Sequence, residues 1–291
     1  MIASTLRHTA FFKFTPLPDP DAVVARLRLL TAGLLGSILV AEEGINGVLA
    51  GPVDAVEAFE AALVGDPALG GRFAGIAFKR SACATPPFAR MKVHRKPQVV
   101  AVGLPGEVGG GQATGHAPVE VDHHTLVSPQ AWRELLAQDD VVVLDNRNSF
   151  EYRLGRFKSA VDPQVSHFRD FPKFVQAHAD AWKAEGKRVA MYCTGGIRCE
   201  KTSAWMQGLG LEVLQLEGGI LNYFQSLPDA ERDWAGECFV FDNRIALDTR
   251  LQETGTTLEQ VYGNEPDGEW RLQRARRLLA AASEAAPDAT P

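Results

Sequence analysis

Cysteine is scarce in this sequence, with four residues in 291, at positions 83, 193, 199 and 238. None forms a C-x-x-C pair, and none stands at the Cys/His spacing of a zinc site, so a disulfide scaffold and a zinc-stapled module are both disfavoured. Long apolar runs are missing as well. Without about 18 consecutive apolar residues, no membrane-spanning helix is expected. Residues 1–17 show no basic segment followed by an apolar core, so no secretory leader is expected and a reducing, cytoplasmic setting is the default. The sequence also lacks a dinucleotide-binding glycine fingerprint, a flavin motif and the ligand triad of non-haem iron. No metal site and no cofactor is identifiable from the residues.

What is present is a globular composition, 45% hydrophobic and 23% charged, long enough for two apolar cores. The net charge of −6 argues against wholesale electrostatic capture of nucleic acid, but the charge is uneven. Residues 1–100 carry 11 Lys/Arg against 8 Asp/Glu, and the remainder carries 19 against 28. Lys79, Arg80, Arg90, Lys92, Arg95 and Lys96 follow one another with no acidic residue between them. Such a stretch is either a patch that binds a polyanion or a solvated strand edge defended by cations.

The first hundred residues alternate strand and helix signals. His8–Phe14 reads as a strand, and residues 19–35 as a helix with Val23, Val24, Leu27, Leu30 and Leu34 on one face. Asp19 or Asp21 is available to cap its start. Residues 37–50 read as two strands split by a turn at 42–47, residues 53–63 as a second helix, and 75–79 and 92–102 as further strands. A βαββαβ order predicts a ferredoxin-like α+β sandwich, domain 1–102. Residues 103–118 (GLPGEVGGGQATGHAP) are rich in glycine, which predicts a linker over 103–125. Beyond it, Ser128 before Pro129 opens a helix, and 141–144, 188–192 and 213–216 are continuous apolar runs of the kind buried on both faces of a parallel sheet. With helices over 168–185 and 199–209, residues 126–235 predict an open α/β domain. Residues 236–291 form a polar extension with an amphipathic helix over 270–286 and a disordered end over 287–291.

The informative segment runs from Met191 to Thr202. An apolar strand ends at Cys193, Thr194-Gly195-Gly196-Ile197-Arg198 follows, and a helix begins near Cys199. Ligand sites of open α/β sheets lie at the carboxyl ends of strands. A loop this short turns its backbone N–H groups inward around the cysteine sulfur, and the helix start and Arg198 add positive charge. Each effect favours thiolate over thiol, which marks Cys193 as a reactive residue. The six-residue C-x4-R loop is one residue shorter than the cradle that wraps a tetrahedral oxyanion in phosphatases of this architecture. Its size suits sulfur or a small adduct.

Asp145-x-Arg147, Glu151-Tyr152, residues 155–160, the Cys193 loop and Leu216-x-Gly218-Gly219 together resemble a rhodanese domain. The stretch CTGGIRCEK, with EEGING at 42–47 and GECFVFDNR at 236–244, is narrower. It resembles the oxygen-dependent tRNA uridine hydroxylases, which convert the wobble uridine of certain tRNAs to 5-hydroxyuridine. The resemblance implies that Cys193 is the essential residue, that molecular oxygen is the co-substrate, and that the partner is the anticodon arm of tRNA. No membrane association is expected, and no stable protein partner is evident from the sequence. The basic stretch from Lys79 to Lys96 would then hold phosphates of the RNA. A thiosulfate or persulfide sulfurtransferase using the same loop is the alternative, and a non-enzymatic adaptor the third reading. Asn146 replaces the usual threonine of the Asp-x-Arg motif, Lys96-Pro97-Gln98 lacks a common acidic residue, and the cysteine-rich extension of longer relatives is absent. Asp145 and Arg147 are expected to act as scaffold, Cys83 and Cys238 as packing residues. Cys199 is a candidate partner for an oxidised Cys193.

Overall fold

The computed structural model describes residues 6–84, 86–104 and 123–283. The chain divides into two compact units. One comprises Met1–Val99, Phe241–Ile245 and Gly255–Pro291, the other Val100–Val240 and Ala246–Thr254. The first boundary falls at Val99 rather than at residue 102, because Val102 is fully buried in the apolar core of the second unit. The expected extension 236–291 is likewise shared between the two units instead of standing alone. Residues 105–122, most of the expected linker, lie outside the described residues, as does the expected disordered end 287–291.

The first unit is built from β1 (Leu6–Phe14), α1 (Pro20–Leu30), β2 (Leu35–Ala41), β3 (Gly44–Gly51), α2 (Val53–Gly65), β4 (Phe78–Cys83) and β5 (Met91–Arg95). Its sheet has the order β4-β1-β3-β2-β5, the ferredoxin-like arrangement with β5 added parallel to β2. Asp19 caps α1 by accepting from the Ala22 amide at 2.9 Å, and Pro20 opens the helix. The helix ends earlier than its apolar spacing predicts. The Thr31 hydroxyl takes the Leu27 carbonyl, and Gly33 turns the chain at φ +82°. Val23, Val24 and Leu27 face Phe11, Ile38, Ile45 and Leu49 of the sheet. Each buried aliphatic side chain contributes about 1.5–3 kcal/mol. Strand period places Phe11, Phe78, Met91 and Val93 against the helices, and therefore Phe12, Lys79, Lys92 and His94 on the opposite side. β4 begins at Phe78 instead of residue 75, since Gly75 holds a turn at φ +74°.

The second unit follows with β6 (Leu126–Val127), α3 (Pro129–Leu135), β7 (Val141–Asp145), α4 (Ser149–Leu154), β8 (Gly155–Phe157), α5 (Phe171–Ala184), β9 (Arg188–Tyr192), α6 (Ile197–Gly208), β10 (Val213–Leu216), α7 (Gly219–Ser226), β11 (Trp234–Gly236), β12 (Cys238–Phe239) and β13 (Ala246–Leu247). β6-β10-β9-β7 form a parallel sheet, flanked by the small antiparallel pairs β8–β11 and β12–β13. Leu144, Val189 and Met191 pack under α5 and α6, while Val143, Ala190 and Tyr192 pack under α3 and α7. Burial on both faces is why these strands read as unbroken apolar runs. The chain closes in the first unit with α8 (Leu258–Tyr262) and α9 (Gly268–Ser283).

Candidate active site

Cys193 is the first residue past β9, and α6 starts four residues later at Ile197. Between them Gly196 adopts φ +98°, a left-handed conformation that aims its N–H at the Cys193 sulfur, 3.1 Å away. No side chain caps α6, so its first amides are left for the sulfur, and those of Arg198 and Cys199 also point at it. Cys193 is 2% exposed. Burial by itself pushes its pKa up. The Cys199 thiol donating to it, the Arg198 charge and the backbone amides outweigh burial and bring it down to about 6. Cys199 moves the opposite way, well above the usual thiol range, chiefly through burial and its bond to Cys193. At neutral pH the pair is one thiolate and one thiol.

A second element grips the loop from behind. The Ile220 amide of α7 donates to the Cys193 carbonyl at 3.0 Å, and the Leu221 amide to that of Thr194 at 3.1 Å. Gly218 and Gly219 both have positive φ, and any side chain at 219 would strike the loop backbone. That contact is the physical content of the Leu216-x-Gly218-Gly219 motif.

Arg198 is anchored. Its guanidinium donates to Oε2 of Glu151 at 2.9 Å and lies over the Phe168 ring. Glu151 is fully buried at the start of α4, where the same oxygen accepts from the Asn148 amide at 3.2 Å. In the sequence Glu151 stands out only within the Glu151-Tyr152 motif; in the structure its carboxylate serves both the Asn148 amide at the start of α4 and Arg198. Asp145 and Arg147 are 0% exposed and bonded through two N–H groups at 2.7 and 2.8 Å. Tyr192 adds a 2.6 Å hydrogen bond to Asp145, and Arg147 also donates to the Gly155 carbonyl. This pair holds β7, β9 and β8 together without touching the sulfur. Asn146, just past β7, ties that strand to α6. It is fully buried and donates to Thr202 of α6 at 3.0 Å, and its amide side chain also faces Cys199.

The six basic residues are not brought together. Arg80 is committed to Glu60 of α2 at 2.9 Å, and Arg95 pairs with Asp21 and Glu42, all on the helix side of the sheet. Lys79 sits over the Phe12 ring on the other side. Arg90 and Lys92 share a cleft at the edge of β5, and Lys96 is exposed just beyond that strand. Cys83 and Cys238 are buried, the latter with its pKa pushed up to about 12 by burial. Among the described residues no group of His, Cys, Asp or Glu is arranged to hold a metal ion, and no helix is long and apolar enough to cross a membrane.

Comparison with known proteins agrees with this layout. Residues 6–99 match the family described as UPF0176 acylphosphatase like domain, and residues 128–226 match the rhodanese-like domain. A tRNA uridine(34) hydroxylase of Synechococcus elongatus is 46% identical over 245 residues, covering 83% of this chain and 85% of the relative. One from Nitrobacter winogradskyi is 43% identical, covering 86% and 94%. Another, from Deinococcus radiodurans, is 41% identical, covering 84% and 76%.

Proposed function

The chain belongs to the tRNA uridine(34) hydroxylase family, and from that premise we propose that it hydroxylates wobble uridine of tRNA at C5, with Cys193 as nucleophile and molecular oxygen as co-substrate. The observation that carries the role of Cys193 is the ring of donors around its sulfur, the Gly196 amide at 3.1 Å with the Arg198 and Cys199 amides and the Arg198 charge, which bring its pKa down to about 6. C6 of uracil is the electrophilic end of a conjugated system. The thiolate adds there, and the displaced electron pair makes C5 nucleophilic. C5 then takes one oxygen atom, loses its proton, and the C6–S bond breaks to restore the ring and the thiolate. The second atom of dioxygen leaves as water, which requires two electrons and two protons from a reductant. Arg198, fixed by Glu151, keeps the leaving sulfur anionic. Seclusion of the site strengthens that effect.

The wobble base lies in a single-stranded loop, so it reaches a pocket without opening a duplex. Basic side chains of the first unit supply charge for the phosphates of the anticodon arm. The reaction is assigned to the cytoplasm, a reducing compartment suited to a chain whose four cysteines are all free. A sulfurtransferase is not favoured: the similar proteins are hydroxylases by name, and a small sulfur donor has no use for the first unit.

Nucleoside mass spectrometry of tRNA incubated with the protein in air and under nitrogen tests this reading. The expected result is one added oxygen on wobble uridine, in air only, lost in Cys193→Ser. Full activity in the serine variant overturns the nucleophile. Thiosulfate-to-cyanide sulfur transfer with no oxygen gain overturns the reaction.

A further inference from the structure

The first unit contains an open cleft of about 490 Å³ between the carboxyl end of α1 and the outer edge of β5. Arg28, Arg90, Lys92 and His94 line it, with no acidic residue among the lining. In a protein of net charge −6 this is an unusual concentration of cations. The nearby carboxylates Asp21 and Glu42 are already used by Arg95. Arg90, Lys92 and His94 have no ion pair among the described residues. Arg28 donates to the outward-facing Val93 carbonyl at 3.1 Å, which ties its guanidinium across the strand edge.

Spacing identifies the ligand class. Met91 and Val93 point into the core, so Lys92 and His94 alternate with them along β5, and Arg90 stands in the bend immediately before that strand. Alternate residues of a strand stand about 6.6 Å apart, the scale on which successive phosphates follow one another along a nucleic-acid strand. A single small anion would call for donors converging on one point, whereas these follow a line along an open groove. We propose that the α1–β5 cleft is a phosphate-backbone subsite for tRNA, in which Arg28, Arg90 and Lys92 neutralise consecutive phosphates. This inference rests on tRNA being the substrate. It narrows the basic stretch, adding Arg28 and His94 and releasing Arg80 and Arg95 to structural ion pairs.

The test is the salt dependence of binding of an unmodified tRNA transcript, read by fluorescence anisotropy. Each lost phosphate contact lowers the slope of log K against log salt by about 0.7–0.9. The R28Q/R90Q/K92Q triple variant is expected to lose about 2–3 units of slope and to bind roughly 10- to 100-fold more weakly at physiological salt. The charge-conserving R28K/R90K/K92R triple and Arg95→Gln are expected to keep the wild-type slope. Retention of that slope by the glutamine triple, or its loss in the charge-conserving triple, overturns the proposal. Wild-type protein that neither binds nor hydroxylates tRNA overturns the parent reading instead, which separates the two failures.

Discussion

Gly219 stands against the backbone of Cys193 so closely that a Cβ placed on it would lie 2.4 Å from the Cys193 carbonyl oxygen. That carbonyl accepts from Ile220, the next residue of α7, at 3.0 Å. The position of Cys193 is therefore set by α7 as much as by β9 and α6. Contact is made to backbone, which has little room to give.

Gly219→Ala is expected to displace the loop. The residue has φ +70°, where a side chain adds about 1–2 kcal/mol of local strain, and the methyl group also meets the Thr194 carbonyl and the Gly196 amide. A shift of about 1 Å in a reacting group lowers a rate by about 100-fold. Hydroxylation should fall on that scale while circular dichroism still reports a folded chain. An alanine variant of wild-type activity would mean that the loop does not need this contact.

The thiolate absorbance of Cys193, taken as the difference from Cys193→Ser, should titrate with a midpoint of about 6. Cys199→Ala removes the sulfur-directed donor, so the midpoint must rise. Cys199→Ser keeps an O–H donor and should hold it near the wild-type value. Because the group ionises to a favoured anion, activity that depends on it is full above this midpoint and falls as pH drops through it. A midpoint unmoved in Cys199→Ala would assign the shift to Arg198 and the amides alone.

Removing one partner of the Asp145–Arg147 pair leaves a charge where exposure is 0%. Arg147→Met should destabilise the second unit by about 3–5 kcal/mol in denaturant unfolding. Cys193→Ser, which changes one atom, should stay within about 1 kcal/mol of wild type. If Arg147→Met proves as stable as wild type yet inactive, the pair belongs to the chemistry and not to the scaffold.

These contacts differ in how far they could be read in advance. The strands β7, β9 and β10 and the cap at Ser128 are local patterns, and the structure has them where the residues predict, while of the two candidate caps of α1 it uses Asp19. The Cys193 loop is contiguous, so its glycines, its arginine and its helix start are visible together. Glu151, Asn146 and Gly219 reach the site from other elements; their motifs mark them, but the contact each makes with the loop depends on tertiary packing. The basic stretch was misleading for a related reason. Neighbours such as Lys79 and Arg80 point to opposite sides of a strand, and only the strand limits reveal which cations share a surface. The end of α1 went beyond reach because the residue that stops it, Thr31, does so through its own hydroxyl at an apolar helix end.

His8 of β1 links the first unit's stability to pH. It is 3% exposed, with Nε2 3.6 Å from Asp242, whose carboxylate is gripped by Arg244 at 2.7 and 2.9 Å, and Arg244 also reaches Ser81 at 3.3 Å. Burial, then repulsion from Arg244, lowers the histidine pKa from 6.5 to about 3, against the opposing pull of Asp242. The native state therefore holds this ring neutral, while the unfolded chain protonates it below about 6.5. Its contribution to stability is intact above that pH and is lost progressively as pH falls towards 3, at up to about 1.4 kcal/mol per pH unit. His8→Gln is neutral throughout and should flatten the stability profile between pH 6 and pH 4 by about that slope. Denaturant unfolding of the two proteins across this range measures the difference directly, since the carboxylates that titrate nearby are common to both. Parallel profiles would show that the native state accepts a proton on His8, and that Asp242 rather than Arg244 controls the ring.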